Sequence, residues 1–261
     1  MRIVRFISQG RVKYGKLVDS RAIHGFRGRL FTHLKSSDST FTLDGSTYEL
    51  DEVRLLAPCL PTKIVCLGLN YRSHAEETKL DIPSKPLIFL KPSTAVIGPD
   101  EKIILPRFSR RVDYEGELGV VIGREAKDVP EEKAREYVLG YTCFNDVSER
   151  YDQREDGQWT RAKGYDTFAP IGPCIETKLD PDDLRLETYL NGELRQSAST
   201  SELIFGVSKL ISFISGIMTL LPGDIIATGT PSGIGRMNSG DEVEVRIEKI
   251  GTLKNFVAGH K

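Results

Sequence analysis

Glu115 and Glu117 stand one residue apart in the stretch Asp113-Tyr114-Glu115-Gly116-Glu117-Leu118-Gly119-Val120-Val121-Ile122-Gly123. A strand has a two-residue period, so both carboxylates face one side while Tyr114, Leu118 and Val120 face the other. Like charges side by side on a sheet are destabilising. A hard divalent cation held by oxygen ligands would offset that repulsion. The same spacing also suits a solvated strand, so the pair alone leaves both readings open. A third carboxylate, Asp146, lies in Asn145-Asp146-Val147-Ser148, just after the apolar run Tyr141-Thr142-Cys143-Phe144. An aspartate at a strand end can add an oxygen ligand, and it can equally cap the turn into Ser148-Glu149-Arg150. The histidines are His24, His33, His74 and His260. No two have metal-ligand spacing, which disfavours histidine-rich zinc. An all-carboxylate site favours Mg²⁺, Mn²⁺ or Ca²⁺.

Other residues could act beside such a site. In Gly68-Leu69-Asn70-Tyr71-Arg72-Ser73-His74-Ala75-Glu76-Glu77, His74 and Glu77 are three apart on a predicted helix and can meet. A carboxylate beside an imidazole orients it and raises its basicity, as a general base requires. An ordinary surface pair has the same spacing. Arg150 and Gln153 follow Asp146 by about one and two helical turns, and Lys163 lies in Trp159-Thr160-Arg161-Ala162-Lys163-Gly164. Such cations can hold a substrate carboxylate, although most lysines are simply solvated. Thr228-Gly229-Thr230-Pro231-Ser232-Gly233-Ile234-Gly235 is glycine-rich but fits neither the Walker loop nor G-x-G-x-x-G. Its amides and the Thr230 hydroxyl could bind an anion, or the glycines serve only a tight turn.

The elements that must position these groups are mostly strands. Residues 1 to about 55 read as short strands, with a hairpin where Phe41-Thr42-Leu43 and Thr47-Tyr48-Glu49-Leu50 flank Asp44-Gly45-Ser46. Two prolines, Pro58 and Pro61, mark a boundary, giving a small β-rich N-terminal domain at 1–57 and a larger domain at 58–261. Strand signals resume at Ile64–Gly68, Pro86–Leu90, Leu118–Ile122 and Val243–Ile247. Helices are predicted over 130–139, which opens on Pro130, and over 203–221, with Thr200-Ser201-Glu202 as cap and Pro222-Gly223-Asp224 as stop. With no βαβ rhythm and no internal repeat, the expected fold class is α+β and β-rich, and an all-parallel doubly wound sheet is not expected.

The chain has 261 residues, 36 basic and 37 acidic, for a net charge of −1. That balance points to no nucleic acid and no membrane surface as partner. Cys59, Cys66, Cys143 and Cys174 form no C-x-x-C pair and read as free buried thiols, as expected in the cytoplasm. The opening Met1-Arg2-Ile3-Val4-Arg5-Phe6 reads as no signal peptide. The apolar stretch 203–221 is interrupted by Lys209, three serines and two glycines, so it reads as a core helix and not a span.

The order of these pieces resembles the fumarylacetoacetate hydrolase family. The matching stretches are G-L-N-Y-R-S-H-A-E-E at 68–77, D-Y-E-G-E-L-G-V-V-I-G at 113–123 and G-Y-T-C-F-N-D-V-S at 140–148. They continue with Q-W-T-R-A-K-G-Y-D-T-F-A-P-I-G-P at 158–173, N-G-E-L-R-Q at 191–196 and L-P-G-D-I-I-A-T-G-T-P-S-G-I-G at 221–235. The resemblance implies a rolled mixed β-sheet with few helices, a homodimer, and Mg²⁺ or Mn²⁺ as cofactor. It implies Glu115, Glu117 and Asp146 as metal ligands, and His74 and Glu77 as the catalytic pair of a lid segment, with Lys163 beside them. Arg150, Gln153 and Thr230 match substrate-holding positions. The chain departs from some relatives in lacking an acidic ligand within 64–73, where a water would stand, and in carrying Glu149 and Tyr151.

The implied activity is cleavage of a C–C bond in a 2-oxo or 2,4-dioxo acid of acylpyruvate type, through a metal-stabilised enolate. The same chemistry serves a 2-hydroxyhepta-2,4-diene-1,7-dioate isomerase, a 5-oxopent-3-ene-1,2,5-tricarboxylate decarboxylase and an oxaloacetate decarboxylase. A keto-acid-binding protein without turnover is the reading from another class.

Overall fold

The computed structural model describes residues 1–19, 21–28, 41–79 and 81–260. The predicted excess of strands over helices is present, in three sheets among the described residues. The largest runs in the order Leu43–Glu49, Ala22–Phe26, Arg11–Val18, Arg2–Ser8, Ala169–Glu176, Val138–Asn145, Gly116–Ile122, Ile225–Ala227, Ile64–Leu67 and Ile88–Lys91. The strands of the first 57 residues extend this same sheet, through Arg2 opposite Glu176 and Ile3 opposite Ile175. Most pairs are antiparallel, but Ile225–Ala227 runs parallel to Ile64–Leu67, so the sheet is mixed. A small sheet joins Ser148–Glu149, Val112–Tyr114 and Gly235–Met237. A five-stranded sheet joins Glu193–Ser199, Arg185–Leu190, Glu242–Ile247, Gly251–Gly259 and Lys102–Leu105. The fold is α+β and strand-rich, with short helices. Among the described residues no helix is long and apolar enough to cross a membrane.

Core packing sets the register of the central strand. Leu118, Val120 and Ile122 enter one apolar cluster. Val121 enters another, with Phe144, Cys66 and Ala227, and Glu117 shares its parity. A side chain of this size contributes roughly 1.5–3 kcal/mol when fully buried. A one-residue slip would exchange the two faces and carry Glu117 into the wrong core.

The acidic pair does not sit on one continuous strand. Val112–Tyr114 belongs to the small sheet and Gly116–Ile122 to the large one, with the break at Glu115. The neighbouring strand breaks at the same level: Val138–Asn145 pairs in the large sheet and Ser148–Glu149 in the small one. Two adjacent strands thus part together, and the Asp146 N–H bridges the gap to the Glu115 carbonyl at 2.8 Å.

Three local expectations are corrected. Asp44-Gly45-Ser46 is no hairpin turn: Leu43–Glu49 is a single strand against Ala22–Phe26, with a bulge between His24 and Phe26. Asp44 accepts from the Ser46 N–H at 2.8 Å, and Gly45 has φ +86°, which lets the two extra residues bulge without ending the strand. Residues 131–137 form a 3₁₀ helix whose only buried residue is Ala134, followed directly by the strand Val138–Asn145. The segment 203–221 is helical only over Val207–Ile217. Before it, Asn70 holds the chain extended, its carbonyl accepting from the Ile204 N–H and its side-chain oxygen from the Phe205 N–H, both at 2.8 Å. Thr200–Glu202 is a separate 3₁₀ turn capped by Ser199. All four cysteines are free and buried, as predicted.

Candidate active site

At the double strand break, ligand atoms of Glu115, Glu117 and Asp146 lie within 4.8 Å of one another, and all three residues are buried. The surrounding cations are unevenly placed. Lys163 donates to Glu115 Oε2 at 2.9 Å and to Asp146 Oδ2 at 2.7 Å. Lys91, itself only 1% exposed, donates to Asp146 Oδ1 at 2.5 Å and to the Val147 carbonyl at 2.9 Å. Arg150 lies 2.5 Å from Glu115 Oε1 and 2.8 Å from Asp113 Oδ2, and donates to Gln153 Oε1 at 3.0 Å. Among the described residues no cation pairs with Glu117. Its Oε2 accepts from the Gly229 N–H at 2.8 Å, and among the described residues its buried Oε1 has no partner.

That asymmetry appears in the titration of the pair. Burial, then the Asp146 and Glu115 charges, push the Glu117 carboxyl well above the usual range. Burial acts the same way on Glu115, but Lys163 and Arg150 override it and hold that carboxyl well below the usual range. Burial likewise works against the Lys163 charge, yet Asp146 and Glu115 raise its pKa.

A buried carboxylate oxygen without a partner is costly, and a divalent cation between three carboxylates would supply the missing partner. The residues therefore fit a hard ion bound by oxygen. The metal-free protein should then carry a pH signature. An acid whose folded pKa is raised stabilises the fold below its unfolded value, and that stability is lost as pH rises through the folded value. Glu117→Gln cannot ionise. In chelator, its thermal stability relative to wild type should therefore improve as pH rises above the ordinary glutamate value. Calorimetry at a series of pH values reads this, and a difference independent of pH would contradict the protonated Glu117.

His74 lies on the helix Arg72–Thr78 and is buried. Its Nδ1 is 3.0 Å from Glu77 Oε2. A carboxylate there places the ring proton on Nδ1 and leaves Nε2 as the acceptor. Glu77 Oε1 accepts from the Gly233 N–H at 3.0 Å, which ties the helix to the glycine-rich loop. The Thr230 hydroxyl donates to the Gly116 carbonyl at 2.9 Å and accepts from Gln196 Nε2 at 2.8 Å. Its proton is committed inside the protein.

The structure therefore gathers the three acids, Lys163 and Arg150 in one cluster. Gln153 is joined to it through Arg150, Thr230 through Gly116, and the His74–Glu77 pair flanks it. Sequence reasoning missed Lys91 and Gln196. Lys91 closes an apolar run before Pro92, where a lysine reads as a solvated strand end. Gln196 stood in a matching motif, but a single glutamine offers no chemical signal.

Known proteins resemble this chain in sequence and fold. The family model described as fumarylacetoacetate (FAA) hydrolase C-terminal matches residues 63–258, and one described as Rv2993c-like, N-terminal, matches residues 1–58. The chain is similar to a crystal structure of a 5-carboxymethyl-2-hydroxymuconate delta-isomerase from Mycobacterium smegmatis, with 44% identity, a TM-score of 0.91 and full coverage of both chains. It is 41% identical to an oxaloacetate tautomerase of Rattus norvegicus over 218 residues, covering 79% of this chain and 70% of that one. It is similar to a maleylpyruvate hydrolase of a Sphingobium species in complex with manganese(II) and pyruvate, with 30% identity, a TM-score of 0.81 and full coverage of both chains.

Proposed function

We propose, from the premise that this chain belongs to the fumarylacetoacetate hydrolase family, that it is an Mg²⁺- or Mn²⁺-dependent enzyme cleaving a C–C bond in 2-oxo or 2,4-dioxo acids of acylpyruvate type. The observation that carries this reading is a base flanking a buried acidic cluster: His74 Nδ1 is held by Glu77 at 3.0 Å, and among the described residues no group bonds to Nε2. The similar Sphingobium hydrolase is in complex with manganese(II) and pyruvate, which supports the ion and the keto acid together. Glu115, Glu117 and Asp146 would hold the ion, which when bound supplies Lewis-acid charge next to the 2-oxo group.

The protein's own groups supply the rest. His74 Nε2 takes a proton from the water that attacks the distal carbonyl, and Glu77 stabilises the imidazolium that results. Lys163 has a third N–H beyond those on Glu115 and Asp146, and it steadies the oxyanion that develops. Arg150 and Gln153, with the loop at Thr230, hold the substrate carboxylate. The enzyme works as a homodimer in the cytoplasm, an expectation that rests on the family and on the composition.

A second reading has specific support. The isomerase from Mycobacterium smegmatis matches the whole chain, N-terminal strands included. Tautomerisation, the activity named for the rat relative, is likewise the movement of a proton. In such reactions His74 would shuttle a proton between substrate atoms, with no water attacking. Decarboxylation of oxaloacetate would need neither a water nor a base at that position. Purified protein with Mg²⁺ or Mn²⁺ should convert acetylpyruvate to pyruvate and acetate, followed by NMR. Turnover of a hydroxymuconate-type diacid or of oxaloacetate enol alone, with acetylpyruvate untouched, would transfer the assignment to the second reading.

A further inference from the structure

The loop from Gly229 to Gly233 meets the site at every residue. The Gly229 N–H donates to Glu117 Oε2 at 2.8 Å and the Thr230 hydroxyl to the Gly116 carbonyl at 2.9 Å. The Pro231 carbonyl accepts from Gln196 Nε2 at 2.9 Å. The Ser232 N–H donates to Ser73 Oγ at 3.4 Å and the Gly233 N–H to Glu77 Oε1 at 3.0 Å. One end of the loop thus grips an acidic residue of the cluster, and the other grips the helix that carries His74.

Gln196 locks this loop to the strand break. It lies on Glu193–Ser199 of the five-stranded sheet and is 1% exposed. Its Oε1 accepts from the Gly116 N–H at 2.9 Å, and its Nε2 donates to Thr230 Oγ1 and to the Pro231 carbonyl. Both ends of the amide are therefore used. With the Thr230 bond to the Gly116 carbonyl, these contacts close a ring around a single residue. Gly116 is the residue between Glu115 and Glu117, and both its N–H and its C=O are held. A side chain there would displace Thr188, since a Cβ would lie 2.1 Å from its Oγ1. Any tilt of Gly116 would change the separation of the two carboxylates that flank it.

We propose that Gln196 and Thr230 are positioning residues that clamp Gly116, fix the spacing of the Glu115 and Glu117 carboxylates, and pass that geometry through loop 229–233 to the His74 helix. The inference rests on the divalent-metal reading of the acidic cluster. Neither side chain need touch the ion. Partners of this kind orient the ligands, and their loss costs about 10–100-fold in metal affinity.

The test is Mn²⁺ titration by calorimetry on full-length, chelator-stripped protein. Gln196→Met and the isosteric Thr230→Val should each bind Mn²⁺ about 10–100-fold more weakly, whereas Thr230→Ser, which keeps the hydroxyl, should stay within about twofold of wild type. Amide hydrogen exchange should quicken over 72–79 and 229–233 in the first two variants and not in the third. If Gln196→Met does not fold, the valine and serine pair at 230 still decides. Wild-type affinity in Thr230→Val, or equal weakening by valine and serine, would overturn the proposal while the metal reading stands. Wild-type protein that binds no Mn²⁺ would overturn the metal reading and the proposal with it.

Discussion

Alanine in place of His74 is expected to lower kcat for acylpyruvate hydrolysis about 10²–10⁴-fold, the usual contribution of a positioned general base. Mn²⁺ affinity should not change. The two outcomes separate because His74 lies outside the carboxylate cluster, on the helix Arg72–Thr78, and its contact at Nδ1 is with Glu77. Glu77→Gln is expected to fall between wild type and His74→Ala, since the amide keeps an oxygen for the Gly233 N–H but withdraws the charge behind the imidazole. Single-turnover kinetics with a matched metal titration would check both. If His74→Ala lost the metal, His74 would have to be a ligand; if it kept its turnover, the base would have to be found elsewhere.

How much of this site the sequence could reveal depends on how local each cause is. Glu115, Glu117 and Asp146 were legible because period-two spacing, oxygen chemistry and scarce histidine are properties of short segments. The His74–Glu77 contact was legible because helical neighbours meet at three residues. The double strand break was not. It depends on Val112–Tyr114 and Gly116–Ile122 pairing with different sheets, and no residue near 115 announces a change of partner. The helix over 203–206 failed for the same reason: Asn70, more than 130 residues away, engages the Ile204 and Phe205 N–H groups and holds the chain extended there. The Asp44-Gly45-Ser46 hairpin failed because a bulge and a turn share the same residue types. Lys91 was invisible for a chemical reason, since only a carboxylate brought from 55 residues away makes a fully buried lysine tolerable.

That lysine gives the largest expected effect on stability. Lys91→Met keeps a long unbranched side chain but removes the charge that meets Asp146 Oδ1 and the Val147 carbonyl. Removing one partner of a buried ion pair costs about 3–5 kcal/mol, because the remaining charge is stranded. Asp146 would keep Lys163 on its other oxygen, yet it would face Glu115 and Glu117 with one cation fewer. At about 2–4 °C per kcal/mol for a chain of this size, the metal-free variant should melt roughly 6–20 °C below wild type. A solvated pair gives the contrast. Arg110 and Glu155 form an ion pair with both side chains 53% exposed, and Arg110→Ala should leave the melting temperature close to that of wild type. Saturating Mn²⁺ should return part of the Lys91→Met loss, because an ion between the carboxylates replaces the missing positive charge and its binding energy adds to the fold. Differential scanning calorimetry with chelator and with Mn²⁺ measures both quantities. A metal-free shift no larger than that of Arg110→Ala would mean that Asp146 does not depend on Lys91, and that the charge balance of the site lies in Lys163 alone.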